Sequence, residues 1–295
     1  MTITGVIPPM ITPFTQNGDL DLKAHVANIS RWNKAGLRGY LVLGSNSEAV
    51  YLNEQEKLSL IEQTRENASS SHLILAGTGM ESTRETIHLT KKAAKAGAHA
   101  ALIITPAFYQ AQMKDEAQVR HFQAIADASP IPILMYNVTK YTGINLSPRV
   151  VEILSQHSNI IGMKDSSGSI PQLVQYQKAA AEGFNLLVGT ASAWYPALTL
   201  GTTGAIMALA NCAPEECVRV QQWFKEGRTT EAETLYRRLF PVNQAVTATY
   251  GIAGLKYACT LRGYEGGFVR SPLPELNGQQ RTEVKDILEE AGLLR

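Results

Sequence analysis

Eight short apolar runs recur along the first two thirds of the chain, each followed by a longer polar stretch. They fall at residues 5–10, 40–43, 73–76, 101–105, 131–136, 160–163, 186–188 and 205–209, with starts about 19 to 35 residues apart. Apolar runs without polar alternation suit strands buried on both faces. Helical stretches between such strands imply βαβ units and a parallel sheet. Eight units in a row predict a (β/α)8 TIM barrel. An open doubly wound sheet is the alternative. It would favour a glycine-rich loop after the first strand, where this chain has Pro8-Pro9.

The stretches between the runs carry helix signals. Ser82-Thr83-Arg84-Glu85 reads as a capping box, with Ile87, Thr90 and Ala94 on one face and Gly97 as a left-handed stop. Asn53 with Glu56 reads as a second helix start. Beyond the eighth run, Ala232, Leu235, Tyr236 and Leu239 sit at helical spacing, as do Val284, Ile287, Leu288 and Ala291. The expected organisation is a barrel over 1–220 and a helical extension over 221–295. No linker separates them, so the extension is expected to be integral.

Composition removes several function classes. Lys+Arg 27 against Asp+Glu 26 leaves a formal charge of +1, which gives no global field for nucleic acid or an anionic membrane. No apolar run approaches the ~18 residues of a membrane span, and the N-terminus has no secretory pattern. The three cysteines, Cys212, Cys217 and Cys259, form neither a disulfide framework nor a zinc cluster. A reducing, cytoplasmic setting is expected. The six histidines lack metal-site spacing, and G-x-S-x-G and Walker A runs are missing. Gly201-Thr202-Thr203-Gly204 reads as a tight turn into the eighth run rather than a phosphate cradle.

In such a barrel the chemistry sits at the C-terminal strand ends. Those ends carry Gly44–Glu48, Thr105–Tyr109, Tyr136-Asn137, Lys164–Gly168 and Gly189-Thr190. Lys164 follows the apolar run 160–163, and desolvation there favours a neutral amine able to form an imine with a ketone. The alternative is a lysine that ends its strand and reaches water. Tyr136 lies 28 residues earlier, at the same end of the preceding unit, where a phenol can relay protons. Ser45 and Asn46 offer donors for a carboxylate, or form a simple turn.

Gly44-Ser45-Asn46-Ser47-Glu48, Tyr136-Asn137-Val138 with Thr142-Gly143, and Gly162-Met163-Lys164-Asp165-Ser166 together resemble the dihydrodipicolinate synthase / N-acetylneuraminate lyase superfamily of class I, pyruvate-type aldolases. The likeness covers essentially the whole chain. Segments such as Ala76–Thr83, Leu154–His157 and Gly251–Lys256 are similar to those of 4-hydroxy-2-oxoglutarate aldolase and related 2-keto-3-deoxy-acid aldolases. The resemblance implies that Lys164 forms the Schiff base and Tyr136 shuttles protons. It implies that Ser45 orients that tyrosine and, with Asn46, binds the pyruvoyl carboxylate. Tyr109 matches a relay tyrosine supplied across a tight dimer, and Gly189 and Ile206 line the imine. The implied ligands are a 2-oxo acid and an aldehyde, with no metal or organic cofactor, in a homo-oligomeric dimer of dimers.

Three departures stand out. Thr139 replaces the family's proline. Tyr141 stands where the synthases carry an arginine that grips the carboxylate of aspartate semialdehyde; a phenol offers one neutral donor in place of a bidentate charge. Ser47 replaces a glycine and is expected to be strained if that position requires positive φ. The expected activity is therefore cleavage or synthesis of 4-hydroxy-2-oxoglutarate or a 2-keto-3-deoxy sugar acid. The alternatives are synthase-like or N-acetylneuraminate lyase-like activity, a sugar-acid dehydratase using the same imine, and a non-catalytic keto-acid binder.

Overall fold

A computed structural model describes residues 1–294. Each of the eight apolar runs contains a strand: β1 (Gly5–Ile7), β2 (Gly39–Val42), β3 (Leu73–Gly77), β4 (Ala100–Ile104), β5 (Ile133–Asn137), β6 (Ile160–Asp165), β7 (Asn185–Val188) and β8 (Gly204–Ile206). They form one eight-stranded sheet in the order β1-β8-β7-β6-β5-β4-β3-β2, the strand order of a (β/α)8 barrel. The first run stops early as a strand because Pro8 and Pro9 have no N–H to donate. The last run leaves its strand at Ile206 and tightens into a 3-10 turn, Ala208–Asn211.

The chain comprises two compact units, Met1–Thr4 with Leu73–Ile206, and Gly5–His72 with Met207–Arg295. In the first, β3 to β8 pair in parallel in chain order. The β5–β6 pair is irregular: Ile133 faces Ile160, but Leu134 faces Gly162, so β6 skips a residue. Beyond that bulge Tyr136 faces Lys164 and Asn137 faces Asp165. Gly162 is required here, because a Cβ would lie 2.5 Å from the Asn185 carbonyl oxygen.

In the second unit, the C-terminal segment forms the helices Pro214–Lys225, Thr229–Gln244, Gly251–Leu261 and Gly278–Glu290. Ala232, Leu235 and Leu239 are buried as their spacing predicts, as are Val284, Leu288 and Ala291. The Asn53/Glu56 capping box is complete: Asn53 Oδ1 accepts from the Glu56 amide and Glu56 Oε2 from the Asn53 amide, both at 2.9 Å.

One predicted face is displaced. On the helix Thr83–Lys95 the buried residues are Thr86, Leu89, Thr90 and Ala93, while Ile87 and Ala94 are half-buried. The threonines turn inward because their hydroxyls are satisfied there. Thr86 Oγ1 donates to the Ser82 carbonyl at 2.9 Å, and Thr90 Oγ1 lies 2.7 Å from Thr78 Oγ1. Gly97 takes the left-handed conformation that its stop position requires, at φ 101°.

His25, on the helix Leu22–Trp32, is buried with Nε2 2.9 Å from Thr64 Oγ1 on the helix Glu54–Asn67. Burial lowers its pKa from 6.5 to about 4. The folded state therefore resists protonation. The stability it contributes is complete above the unfolded value and is lost as pH falls from 6.5 toward 4. By linkage that loss is of order 3 kcal/mol. Acid unfolding of the wild type and of His25→Gln checks this: the variant should lose less stability across that window.

Candidate active site

Lys164 is the penultimate residue of β6 and is 2 % exposed. Its Nζ lies 4.1 Å from the centroid of the Tyr136 ring on β5. Alternation along a strand puts Lys164 and Tyr136 on one sheet face and Asp165 and Asn137 on the other. Lys164 does not reach for water as a strand-ending lysine would. It is held against an aromatic face, which keeps the amine beside the Tyr136 side chain.

Glycine beside this lysine has a steric reason. A Cβ at Gly189 would come within 2.9 Å of Lys164 Cε and collide with Ser166 Oγ. The missing side chain thus lets Ser166 Oγ and the Lys164 side chain pack directly against the Gly189 backbone. Ser166 is two residues beyond Lys164 and on the same strand face. Its buried hydroxyl has no hydrogen-bond partner, so it is a polar group at this place to which the motif around Lys164 assigned no role. The i+2 spacing after Lys164 was the available signal. Ile206, at the end of β8, is fully buried.

Thr139, in the family's proline position, opens the single helical turn Thr139–Thr142, which Gly143 closes at φ 65°. Tyr141 is 57 % exposed on that turn. Desolvation of its phenol, and then the neighbouring Tyr136, raise its pKa, so Tyr141 stays a neutral donor. Lys140 Nζ lies 5.6 Å from the Tyr141 ring centroid and is the one cation on the turn.

Tyr109 and Phe108 are exposed by 68 % and 78 % and meet edge to face at 5.1 Å. Glu81 Oε2 accepts from the Ala107 and Phe108 amides, both at 2.9 Å, and so fixes the loop that presents them.

Ser45 and Asn46 belong to the other unit, where Ser45–Ser47 forms a 3-10 turn after β2. Ser47 does not adopt positive φ, so the expected strain at that position is absent. Its hydroxyl instead donates to the Met10 carbonyl at 2.5 Å, while its own carbonyl accepts from Thr12 Oγ1 at 2.8 Å. The strain sits one residue later, on Glu48 at φ 55°. A left-handed residue with a Cβ costs about 1 to 2 kcal/mol. Glu48 is buried and forms a 2.5 Å ion pair with Lys256. Removing Lys256 would leave Glu48 buried without its partner, a cost of ~3–5 kcal/mol.

The Glu48 pair belongs to a larger cluster. Lys256 Nζ also donates to the Phe268 carbonyl at 2.5 Å. Glu48 Oε2 accepts from the Arg270 amide at 2.8 Å, and the Arg270 guanidinium holds Glu56 bidentately at 2.6 and 2.9 Å. Both cations lie over the Phe14 ring, at 4.6 and 4.3 Å from its centroid. Desolvation lowers the Lys256 pKa, with Glu48 opposing it. Apart from Glu56, read as part of a helix start, sequence reasoning assigned these residues no role. The signal was a lone lysine within the apolar helix Gly251–Leu261, which needs a buried partner.

Among the described residues no group of three His, Cys, Asp or Glu is placed to hold a metal ion. No helix among them is long and apolar enough to cross a membrane.

Known proteins share this architecture along its whole length. The model of the dihydrodipicolinate synthetase family matches residues 2–291. A 4-hydroxy-tetrahydrodipicolinate synthase of Methanothrix thermoacetophila is 35% identical over 285 residues, covering 96% of this chain and 95% of the relative. One from Exiguobacterium is 33% identical and covers 99% of each. Among solved structures, chloride-inhibited dihydrodipicolinate synthase of Acinetobacter baumannii complexed with pyruvate superposes with a TM-score of 0.94 at 29% identity, over 99% of this chain and 100% of that one. The chain therefore belongs to the dihydrodipicolinate synthetase family and is an enzyme of the class I aldolase type.

Proposed function

We propose that this enzyme makes or cleaves a carbon–carbon bond between pyruvate and an aldehyde through an imine on Lys164. The observation that carries the reading is the buried Lys164 amine 4.1 Å from the Tyr136 ring centroid, packed where Gly189 leaves room for the lysine side chain itself. The amine adds to the 2-oxo carbon and water leaves. The protonated imine then accepts the electron pair of the breaking C3–C4 bond. Tyr136 takes the proton of the C4 hydroxyl as the aldehyde departs. The enamine is protonated at C3, and hydrolysis returns the lysine and pyruvate. Synthesis is the reverse path. The family resemblance supports Ser45 and Asn46 as carboxylate donors, Ile206 as lining, and Tyr109 as a relay working across a dimer. No metal or organic cofactor enters these steps. A cytoplasmic homo-oligomer is proposed, although a relative described as a monomeric dihydrodipicolinate synthase variant has the same fold at 27% identity.

The names of the relatives, 32 to 35% identical over nearly the whole chain, support a 4-hydroxy-tetrahydrodipicolinate synthase-like reaction, with aspartate semialdehyde as the aldehyde. A second reading rests on Tyr141. Without an arginine on that turn an aldehyde's carboxylate lacks its bidentate partner, which favours an aldehyde with no carboxylate, such as the hydroxyaldehyde of a 2-keto-3-deoxy sugar acid. Parallel assays of pyruvate condensation with aspartate semialdehyde and with a hydroxyaldehyde separate the two. A kcat/KM for the semialdehyde at least about tenfold higher supports the first, since that ratio measures relative transition-state binding.

Borohydride reduction with pyruvate should place a stable adduct on the Lys164 peptide, and Lys164→Ala should remove it. A folded wild type without an adduct overturns the imine. Tyr136→Phe should keep the adduct but lower kcat by about 100-fold or more, the scale of a lost proton relay. Gly189→Ala, with its Cβ 2.9 Å from Lys164 Cε, should slow trapping by about tenfold or more through misplacement of the amine.

A further inference from the structure

Asn137 and Asp165 each follow a residue of the reacting pair, and both are buried. They face each other on β5 and β6, with Asn137 Nδ2 donating to Asp165 Oδ1 at 2.7 Å. Asp165 Oδ2 accepts from Ser167 Oγ at 2.5 Å, and Oδ1 also accepts from Gln172 Nε2 at 3.2 Å. Asn137 Oδ1 accepts from the Leu146 amide at 3.0 Å, and its Nδ2 also donates to Asn145 Oδ1 at 2.9 Å. Tyr176, within 3.4 Å of the same amide nitrogen, donates to the Leu146 carbonyl at 2.6 Å. Asp165 thus meets amide and hydroxyl donors, and no lysine or arginine pairs with it among the described residues.

The bulge makes such a pair consequential. After β6 skips a residue, the register must be set again. The next two cross-strand pairs, Leu134 with Gly162 and Met135 with Met163, are apolar and carry no directional bond between side chains. A slip of one residue would turn every side chain to the opposite face, exchanging Lys164 for a neighbour beside Tyr136. The polar pair at the end of the ladder is satisfied in one register. Backbone bonds extend it: the Ser166 amide donates to the Asn137 carbonyl at 2.9 Å, and the Gly189 amide to the Asp165 carbonyl at 2.6 Å.

We propose that the Asn137–Asp165 pair is a register clamp, and that both are positioning residues holding Tyr136 and Lys164 side by side for proton transfer. The catalytic half of this inference rests on the imine reading above. Its test is a double-mutant cycle of Asn137→Ala, Asp165→Ala and the double variant, with kcat normalised to folded protein. Each single variant should lower kcat by about 10- to 100-fold, as expected for a misplacement of the order of 1 Å. The double variant should lose no more than about threefold beyond either single, because two parts of one device fail together. Hydrogen exchange at the Ser166 and Gly189 amides should quicken to a similar extent in all three.

Single variants with turnover and exchange near wild type overturn the clamp, as do losses that multiply in the double variant. Reduced stability with unchanged kcat per folded molecule makes the pair structural glue and also overturns it. If the alanine variants do not fold, Ser167→Ala, which removes one donor from Asp165, should still quicken exchange at both amides and lower kcat; no change in either overturns the clamp. A wild type that gives no Lys164 adduct sinks the imine reading alone, because exchange reads the register without turnover.

Discussion

The alignment of β5 with β6 is the constraint on which the chemical arrangement depends. A parallel ladder buried on both faces has little besides register to decide which side chains share a face. Here a bulge at Gly162 resets the register, and two residues later a lysine and a tyrosine face each other. The same alternation sends Asn137 and Asp165 to the opposite face, where Gln172 and Tyr176 of the helix Ile170–Ala179 meet them. One local irregularity thus arranges both the candidate pair and the polar residues on the opposite face.

Burial of charge is handled in two different ways. Lys164 lies against the Tyr136 ring and beside Gly189, with no carboxylate paired to it among the described residues. Lys256 is covered as completely but is tied to Glu48 and the Phe268 carbonyl, which occupies its donors and makes it a structural cation. The amino-acid type is the same. The partners decide which lysine is held as half of an ion pair.

The Glu48 cluster also explains how a strained residue persists beside the Ser45–Ser47 turn. Left-handed backbone at a glutamate is unfavourable alone, but both carboxylate oxygens are engaged, by Lys256 and by the Arg270 amide. Arg270 is itself anchored by Glu56, the same residue that closes a capping box. A substitution in that cap would therefore be felt beyond its own helix.

Much of this protein was legible in its sequence. The spacing of eight apolar runs determined the barrel, because strands buried on both faces cannot alternate with water. The motifs around Lys164 and Tyr136 located the candidate chemistry, because reactive groups in such a fold sit at strand ends. The capping residues marked helix starts through purely local hydrogen bonds. Tertiary structure decided the rest. The face buried by the helix Thr83–Lys95 depended on threonine partners far from periodicity. The strain fell on Glu48 rather than Ser47 because a lysine more than two hundred residues away is its partner. The register that joins Tyr136 to Lys164 turned on a single skipped residue, and no one-dimensional pattern records which residue a strand will skip.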